Sequence, residues 1–184
     1  SCWSLGVIFS KYYCYYYYYF FIFFSLYLAN CGCWRSRSKI PNRGWGYGSG
    51  SVDAIDFQTN GDDILQGYRL WGVESGSTSF HVTFSLYRGS TLLATKNGSY
   101  PTSASVKTFE VHFSRGISIR AGVTYTATAQ IRTSSRSYAH SDGVASATCS
   151  GITVTFAQRS SKDTNGSSRT HGQFPALIFR SSQC

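Results

Sequence analysis

Few side chains in this chain have the types and spacing that chemistry needs. The glycine-rich run GWGYGSGS, Gly44 to Ser51, resembles a phosphate-cradling loop. The third glycine of a dinucleotide fingerprint falls on Ser49 or Ser51, however, and no helical pattern follows. The run also lacks the Gly-Lys-Ser/Thr end of a P-loop, and reads as a tight loop feeding a strand. Asp62 and Asp63 could form an acid–base pair, but beside Asn60-Gly61 they read as turn residues. His81 and His112 fall on the polar faces of predicted strands. His140, His171 and Cys149 have no metal-ligand spacing, and Cys149 fits an apolar face. No catalytic residue, metal site or cofactor is expected.

The elements that would position any site are strands. From Trp45 onward the apolar pattern has period two, which puts alternate side chains on opposite faces of a sheet. Val123 to Ile131 is the clearest case, with apolar or aromatic residues at odd positions and Thr, Thr, Thr and Gln between them. Phe80, Val82, Phe84 and Leu86 repeat the pattern, as do Phe109, Val111 and Phe113 against Glu110, His112 and Ser114. Shorter candidates are 54–57, 64–71, 91–95, 117–119, 145–149, 152–157 and 176–179. Turn signals lie between them at Asn60-Gly61, Asn97-Gly98, Ala121-Gly122, Asp142-Gly143 and Asn165-Gly166. No stretch keeps helical spacing for three turns. About ten short antiparallel strands with one wet face each predict an all-β fold, a two-sheet β-sandwich rather than a barrel.

Before this body lies a segment of another kind. In KYYCYYYYYFFIFF, residues 11–24, the only charge is Lys11. A transmembrane reading has the length, but Tyr15 to Tyr19 would bury hydroxyls in hydrocarbon. A signal-peptide reading lacks a small-residue cleavage site. The preferred reading is a translated intron end, because Tyr, Phe and Cys are encoded by pyrimidine-rich codons. Residues 1–40 are therefore set apart as an atypical Tyr/Phe-rich segment, unstructured, intron-derived or membrane-like, and residues 43–180 are taken as the domain. The net charge of +9 is skewed the same way: Lys11, Arg35, Arg37, Lys39 and Arg43 precede residue 45, which leaves a mildly basic body. So are the cysteines, with Cys2, Cys14, Cys31 and Cys33 before residue 45 and only Cys149 and Cys184 after it. That distribution predicts no disulfide framework. With no Met anywhere, the chain reads as a fragment.

Several stretches, in order, resemble the PHR domain of the Pam/Highwire family and of BTB-PHR proteins. They are WGYGSGSVDAIDF (Trp45 to Phe57), ILQGYRLWG (Ile64 to Gly72), FEVHF (Phe109 to Phe113), YTATAQI (Tyr125 to Ile131) and NGSSRTHGQFPALIF (Asn165 to Phe179). Phe174 and Trp71, the turn RGI (Arg115 to Ile117) and the loop YAHSDG (Tyr138 to Gly143) depart from the family pattern and make this a divergent member. The resemblance implies a β-sandwich that binds protein and does no catalysis. It also implies cytoplasmic placement and a link to a ubiquitin-ligase complex, through flanking domains such as BTB that are absent here. Trp45, Tyr47, Asp53, Gly72, Gly172 and Pro175 would be its structural motif residues.

Loops at the ends of a sandwich carry function on a rigid scaffold. Tyr100, Tyr138, His140, Asn165, His171 and Gln173 lie in or beside predicted loops and are the candidate partner-binding residues; the partner itself is not named by the sequence. The alternative is a secreted or membrane-tethered lectin-like domain, based on residues 12–28 and the sequons at Asn97 and Asn165. A membrane enters only if residues 12–28 are genuine. No nucleic-acid partner is expected, because Arg69, Arg88, Arg120, Arg132 and Arg159 are scattered without an aromatic stacking platform.

Overall fold

The computed structural model describes residues 29–181. The Tyr/Phe run at 12–28 and Cys184 lie outside the described residues. Twelve strands follow one another: β1 (Ala29–Trp34), β2 (Asn42–Trp45), β3 (Asp53–Thr59), β4 (Asp63–Trp71), β5 (Ser77–Arg88), β6 (Thr91–Ser103), β7 (Thr108–Ile119), β8 (Tyr125–Arg132), β9 (Ser137–Ala139), β10 (Ser146–Cys149), β11 (Ile152–Phe156) and β12 (Ala176–Ser181). They form a four-stranded sheet in the order β1-β12-β4-β7, a six-stranded sheet in the order β10-β11-β3-β8-β5-β6, and a small β2-β9 pair. All pairings are antiparallel. Among the described residues no helix is long and apolar enough to cross a membrane.

The alternation seen in the sequence is the alternation of the sandwich. Phe80, Val82, Phe84 and Leu86 of β5 are buried, as are Tyr125, Ala127, Ala129 and Ile131 of β8. His81 lies on the exposed face of β5, and His112 on the outward face of β7. The β4 residues in the core cluster are Leu65, then Tyr68 and Leu70, so the alternation skips at Gln66, where the register with β7 shifts. That shift puts Tyr68 at the centre of the core. Its ring meets Phe113 and Phe174 edge-on at 5.4 Å, and its hydroxyl donates to the Ser85 carbonyl at 2.8 Å. A buried tyrosine needs such an acceptor, and here the opposite sheet supplies it.

Three expectations need correction. The sandwich begins before residue 43: β1 pairs with β12 over six residues, and Cys33 packs in the core. Asn97-Gly98 is no turn. It runs through β6 opposite Thr83 and Val82, because a long hairpin with β5 overrides a local turn preference. Third, the cysteines do pair, since Cys33 of β1 and Cys149 of β10 form a disulfide. The pairing is hidden in the sequence because Cys33 lies in a stretch without a clear strand period.

The disulfide joins the edge strands of the two sheets on one side of the sandwich. On the other side Lys96 of β6 points inward and donates to the His112 carbonyl of β7 at 2.8 Å. An inward-pointing lysine on an edge strand also blunts that edge against pairing with other chains. The disulfide spans 116 residues. Cys149→Ser is therefore expected to cost about 4–5 kcal/mol under oxidising conditions, by loop-closure entropy in the unfolded chain. In excess thiol reductant the variant and the parent should unfold together in urea. A cost that persists in reductant would show that the sulfur acts through packing instead.

Candidate functional site

One end of the sandwich gathers the loops 46–52, 72–76, 104–107, 133–136 and 163–175. Behind them lies a buried polar network. Asp53, at the first position of β3, is buried. Its carboxylate accepts from the Ser167 hydroxyl at 2.7 Å, the Asn165 amide at 3.0 Å and the Trp45 indole N–H at 3.2 Å. Three donors, two from loop 163–175 and one from the end of β2, thus converge on one side chain. Burial pushes the Asp53 carboxyl up to about 6, against the pull of Ser167, Asn165 and Trp45.

Gln173 makes the second knot. Its side-chain carbonyl accepts from the Trp71 backbone N–H at 2.5 Å, and its amide donates to the Ser137 hydroxyl at 2.7 Å and to the Tyr47 hydroxyl. The Tyr47 and Ser137 hydroxyls also bond each other at 2.7 Å. The backbone beside Gln173 needs glycine. Gly172 has φ +123°, and a Cβ there would run into Ser167. Gly72, at the end of β4, is constrained differently: a Cβ would collide with the Thr102 hydroxyl, whose oxygen accepts from Val73 N–H at 3.1 Å.

Arg35 makes the third knot, and it lies in the segment that the sequence reading set aside. It is fully buried. Its guanidinium donates to the carbonyls of Phe174 at 3.0 Å, Arg169 at 3.2 Å, His171 at 3.3 Å and Ser168. A planar fork of five donors suits such a bend of chain, which a single ammonium could not span. The backbone N–H of Arg35 donates in turn to the Pro175 carbonyl at 2.7 Å. Burial lowers the Arg35 pKa to about 9, with Asp53 and Asp163 opposing the shift, so the group stays charged at neutral pH. An arginine in a non-periodic, basic stretch carries no mark of burial, and only the CWRS context next to a strand could have drawn attention to it.

Of the six candidate contact residues, the structure leaves one exposed. Tyr138 and Gln173 are buried. His140 is buried too. Its Nδ1 accepts from the Trp71 indole N–H at 3.0 Å, and burial, then the charge of Arg35, drives its pKa down to about 2. Asn165 is turned inward to Asp53 and the Gly46 carbonyl. Tyr100 lies in β6, half-buried, with its ring 5.7 Å from that of Phe109. His171 is the one that faces solvent, with Nδ1 bonded to the Thr170 hydroxyl at 2.9 Å. Buried side chains cannot touch a partner, so Tyr138, His140 and Gln173 shape this end from within, while Tyr100 and Asn165 stay partly exposed. Trp45, Tyr47, Asp53, Gly72, Gly172 and Pro175, expected to be structural, all converge on this end. Among the described residues, no cluster of three His, Cys, Asp or Glu could hold a metal ion.

Apart from Arg35 and Ser137, the residues that form the three knots lie in the ordered motifs noted in the sequence, and the PHR domain family model matches residues 36–180. The chain belongs to the PHR family. It is 32% identical over 135 residues to BTB/POZ domain-containing protein 3 of Mus musculus and of Homo sapiens, and to the same extent to BTB/POZ domain-containing protein 6 of Homo sapiens. These matches cover 73% of this chain and 25–26% of each relative. In this PHR domain the motif residues at both ends of the match, Trp45 to Asp53 and Asn165 to Pro175, meet in one network although more than a hundred residues separate them.

Asp53 and His140 give the PHR sandwich opposed responses to acid. Asp53 has a raised carboxyl pKa, so its contribution to stability is complete below the unfolded value near 3.8 and is lost as pH rises through about 6. His140 has a depressed pKa, so its contribution is complete above 6.5 and is lost as pH falls from there toward about 2. Between pH 6 and 5 the folded chain takes up a proton on Asp53 while the unfolded chain takes one up on His140, and the two slopes cancel. Asp53→Asn keeps an acceptor for Ser167 and Trp45 and removes the first slope. Relative to the parent, its stability should fall by about 1.4 kcal/mol per pH unit as pH drops through this window. Parallel curves in urea titrations at pH 6 and 5 would show that Asp53 does not titrate there.

Proposed function

We propose that this PHR domain is a non-catalytic protein-binding module. It takes its partner on the loops of the end described above, in the cytoplasm, and serves a ubiquitin-ligase-associated protein whose other domains lie outside the chain. The observation that carries the reading is the buried network of Arg35, Asp53 and Gln173. It ties loop 163–175 to loop 46–52 and to strands β1, β3 and β9. Loops held in place before binding lose little entropy on docking, which favours recognition. The BTB/POZ names of the relatives support the ligase part, since BTB proteins of this type are thought to link cullin-3 ligases to their targets.

Gly48→Arg and His171→Glu test the reading. Both positions are exposed, and neither side chain belongs to the network. The full chain and the two variants are purified from cells, and the captured proteins are quantified by mass spectrometry. A defined set that is lost from the variants is the expected result, and a ubiquitin-ligase subunit within it supports the ligase role. An unchanged set overturns this end as the binding surface. Acid quenching of cells followed by alkylation in denaturant reads the compartment: Cys33 and Cys149 recovered as alkylated free thiols support the cytoplasm, where thiols are kept reduced, and their recovery as a disulfide overturns it.

A further inference from the structure

The outward face of the six-stranded sheet is a polar trough. Ser85, Thr126 and Thr128 point outward yet are only 7% exposed, so the face is concave along its middle. Hydroxyls line its floor, with Ser85 bonded to Thr95 at 2.9 Å and Thr126 bonded to Asp56 at 2.7 Å. At one end Lys162 lies over the Tyr87 ring, 4.4 Å from its centroid. At the other end the trough opens into a recess of about 500 Å³ lined by His81, Thr83, Asn97, Ser99 and Arg132.

Strand register arranges these residues in two rows. Arg132, His81 and Ser99 lie side by side across β8, β5 and β6, and Gln130, Thr83 and Asn97 form the next row. All six can donate hydrogen bonds. Among the described residues none of the six side chains takes a hydrogen-bond or ion-pair partner from the fold. Two surface arginines elsewhere do meet a carboxylate: Arg69 pairs with Glu110, and Arg120 holds Asp62. Strands β5, β6 and β8 carry no carboxylate. The carboxylate of Asp56 is committed to Thr126, and Thr126 pairs with Tyr87, six residues along β5 from His81 and about 20 Å away at strand rise. Gln130 also approaches the Gly50 loop, so the recess adjoins the loop end of the sandwich.

Resting on the reading of this domain as a protein-binding module, we infer that the recess receives an acidic peptide segment of the partner. Arg132 would meet a Glu or Asp carboxylate, with His81, Asn97 and Gln130 as flanking donors. A patch of uncommitted donors without an acid of its own is complementary to negative charge. The main chain of β6 is poorly suited to pairing an added strand, because Pro101 lacks an N–H and Lys96 turns inward. Recognition therefore falls to side chains on the face.

Fluorescence anisotropy with the full chain tests this, using labelled hexaglutamate and hexaglutamine peptides. Hexaglutamate should bind and hexaglutamine should not. Arg132→Glu should weaken binding by at least about tenfold. Arg88→Glu makes the same charge change at the far end of β5 and should leave binding unchanged. Equal losses in the two variants would mean diffuse attraction to a basic surface and would overturn the site. Competition by inorganic phosphate as effective as that by unlabelled hexaglutamate would assign the recess to a small free anion and overturn the peptide. Arg132 is exposed and unpaired, so a parent-like melting curve for Arg132→Glu is the folding control. If hexaglutamate fails to bind while the loop-dependent partner set is still captured, the recess falls and the module reading stands. Loss of both overturns both.

Discussion

Arg35→Ala is expected to be among the most destabilising single substitutions in this domain, at about 4–6 kcal/mol. The guanidinium serves the carbonyls of Ser168, Arg169, His171 and Phe174 from a fully buried position. A hydrogen bond to a charged group contributes about 1.5–3 kcal/mol, and the carbonyls left behind stay buried without a donor. The loss is comparable to the whole stability of a typical domain. Arg35→Lys keeps the charge but not the fork, and should recover only part of the loss. Urea unfolding followed by circular dichroism separates the three proteins. If alanine costs under about 1 kcal/mol, the loop 168–174 holds its shape without the arginine, and the network does not have the role given to it here.

Val111→Asp should prevent folding altogether. Val111 is fully buried in β7, opposite Tyr68 of β4 and beneath the aromatic cluster of the core. A carboxylate there would enter a cluster of apolar and aromatic side chains, and an uncompensated buried charge costs about 3–5 kcal/mol or more. The neighbouring His112 faces outward, paired with Glu110 at 2.9 Å. His112→Ala should therefore change stability by no more than about 1 kcal/mol, as exposed ion pairs do. A soluble, cooperatively unfolding Val111→Asp protein would mean that the register of β7 is wrong by one residue, which would turn every side chain of the strand over.

Comparing these two positions shows what the sequence could reveal and why it stopped there. A strand records its two faces in its own alternation, so Val111 and His112 could be assigned without a structure, and so could β5 and β8. Strands of three or four residues, such as β2 and β9, are too short to alternate visibly. β1 was hidden because ANCGCW has no clear period and follows a run of tyrosines. The site was half readable. Motif stretches pointed to Trp45, Asp53, Asn165 and Gln173, but a loop carries no periodic signal of which side chains turn inward. The loop positions of Tyr138, His140 and Gln173 therefore suggest partner contacts, whereas the fold buries all three. Arg35 was out of reach for a related reason, since its burial is set by four carbonyls more than 130 residues away.

The strand order of the smaller sheet bears on how the domain is made. In β1-β12-β4-β7 the last strand of the domain among the described residues is not an edge strand: it is inserted between the first and the fourth. Until residues 176–181 leave the ribosome, β1 has no neighbour in the sheet and β4 presents an open edge. The nascent domain thus carries an unfinished hydrophobic sheet until its β12 is made, and closes it late. Such intermediates are prone to aggregate, and long-range strand pairing makes them slow to resolve. Chains truncated shortly before β12 should consequently be held by chaperones or degraded, rather than accumulate as smaller folded domains.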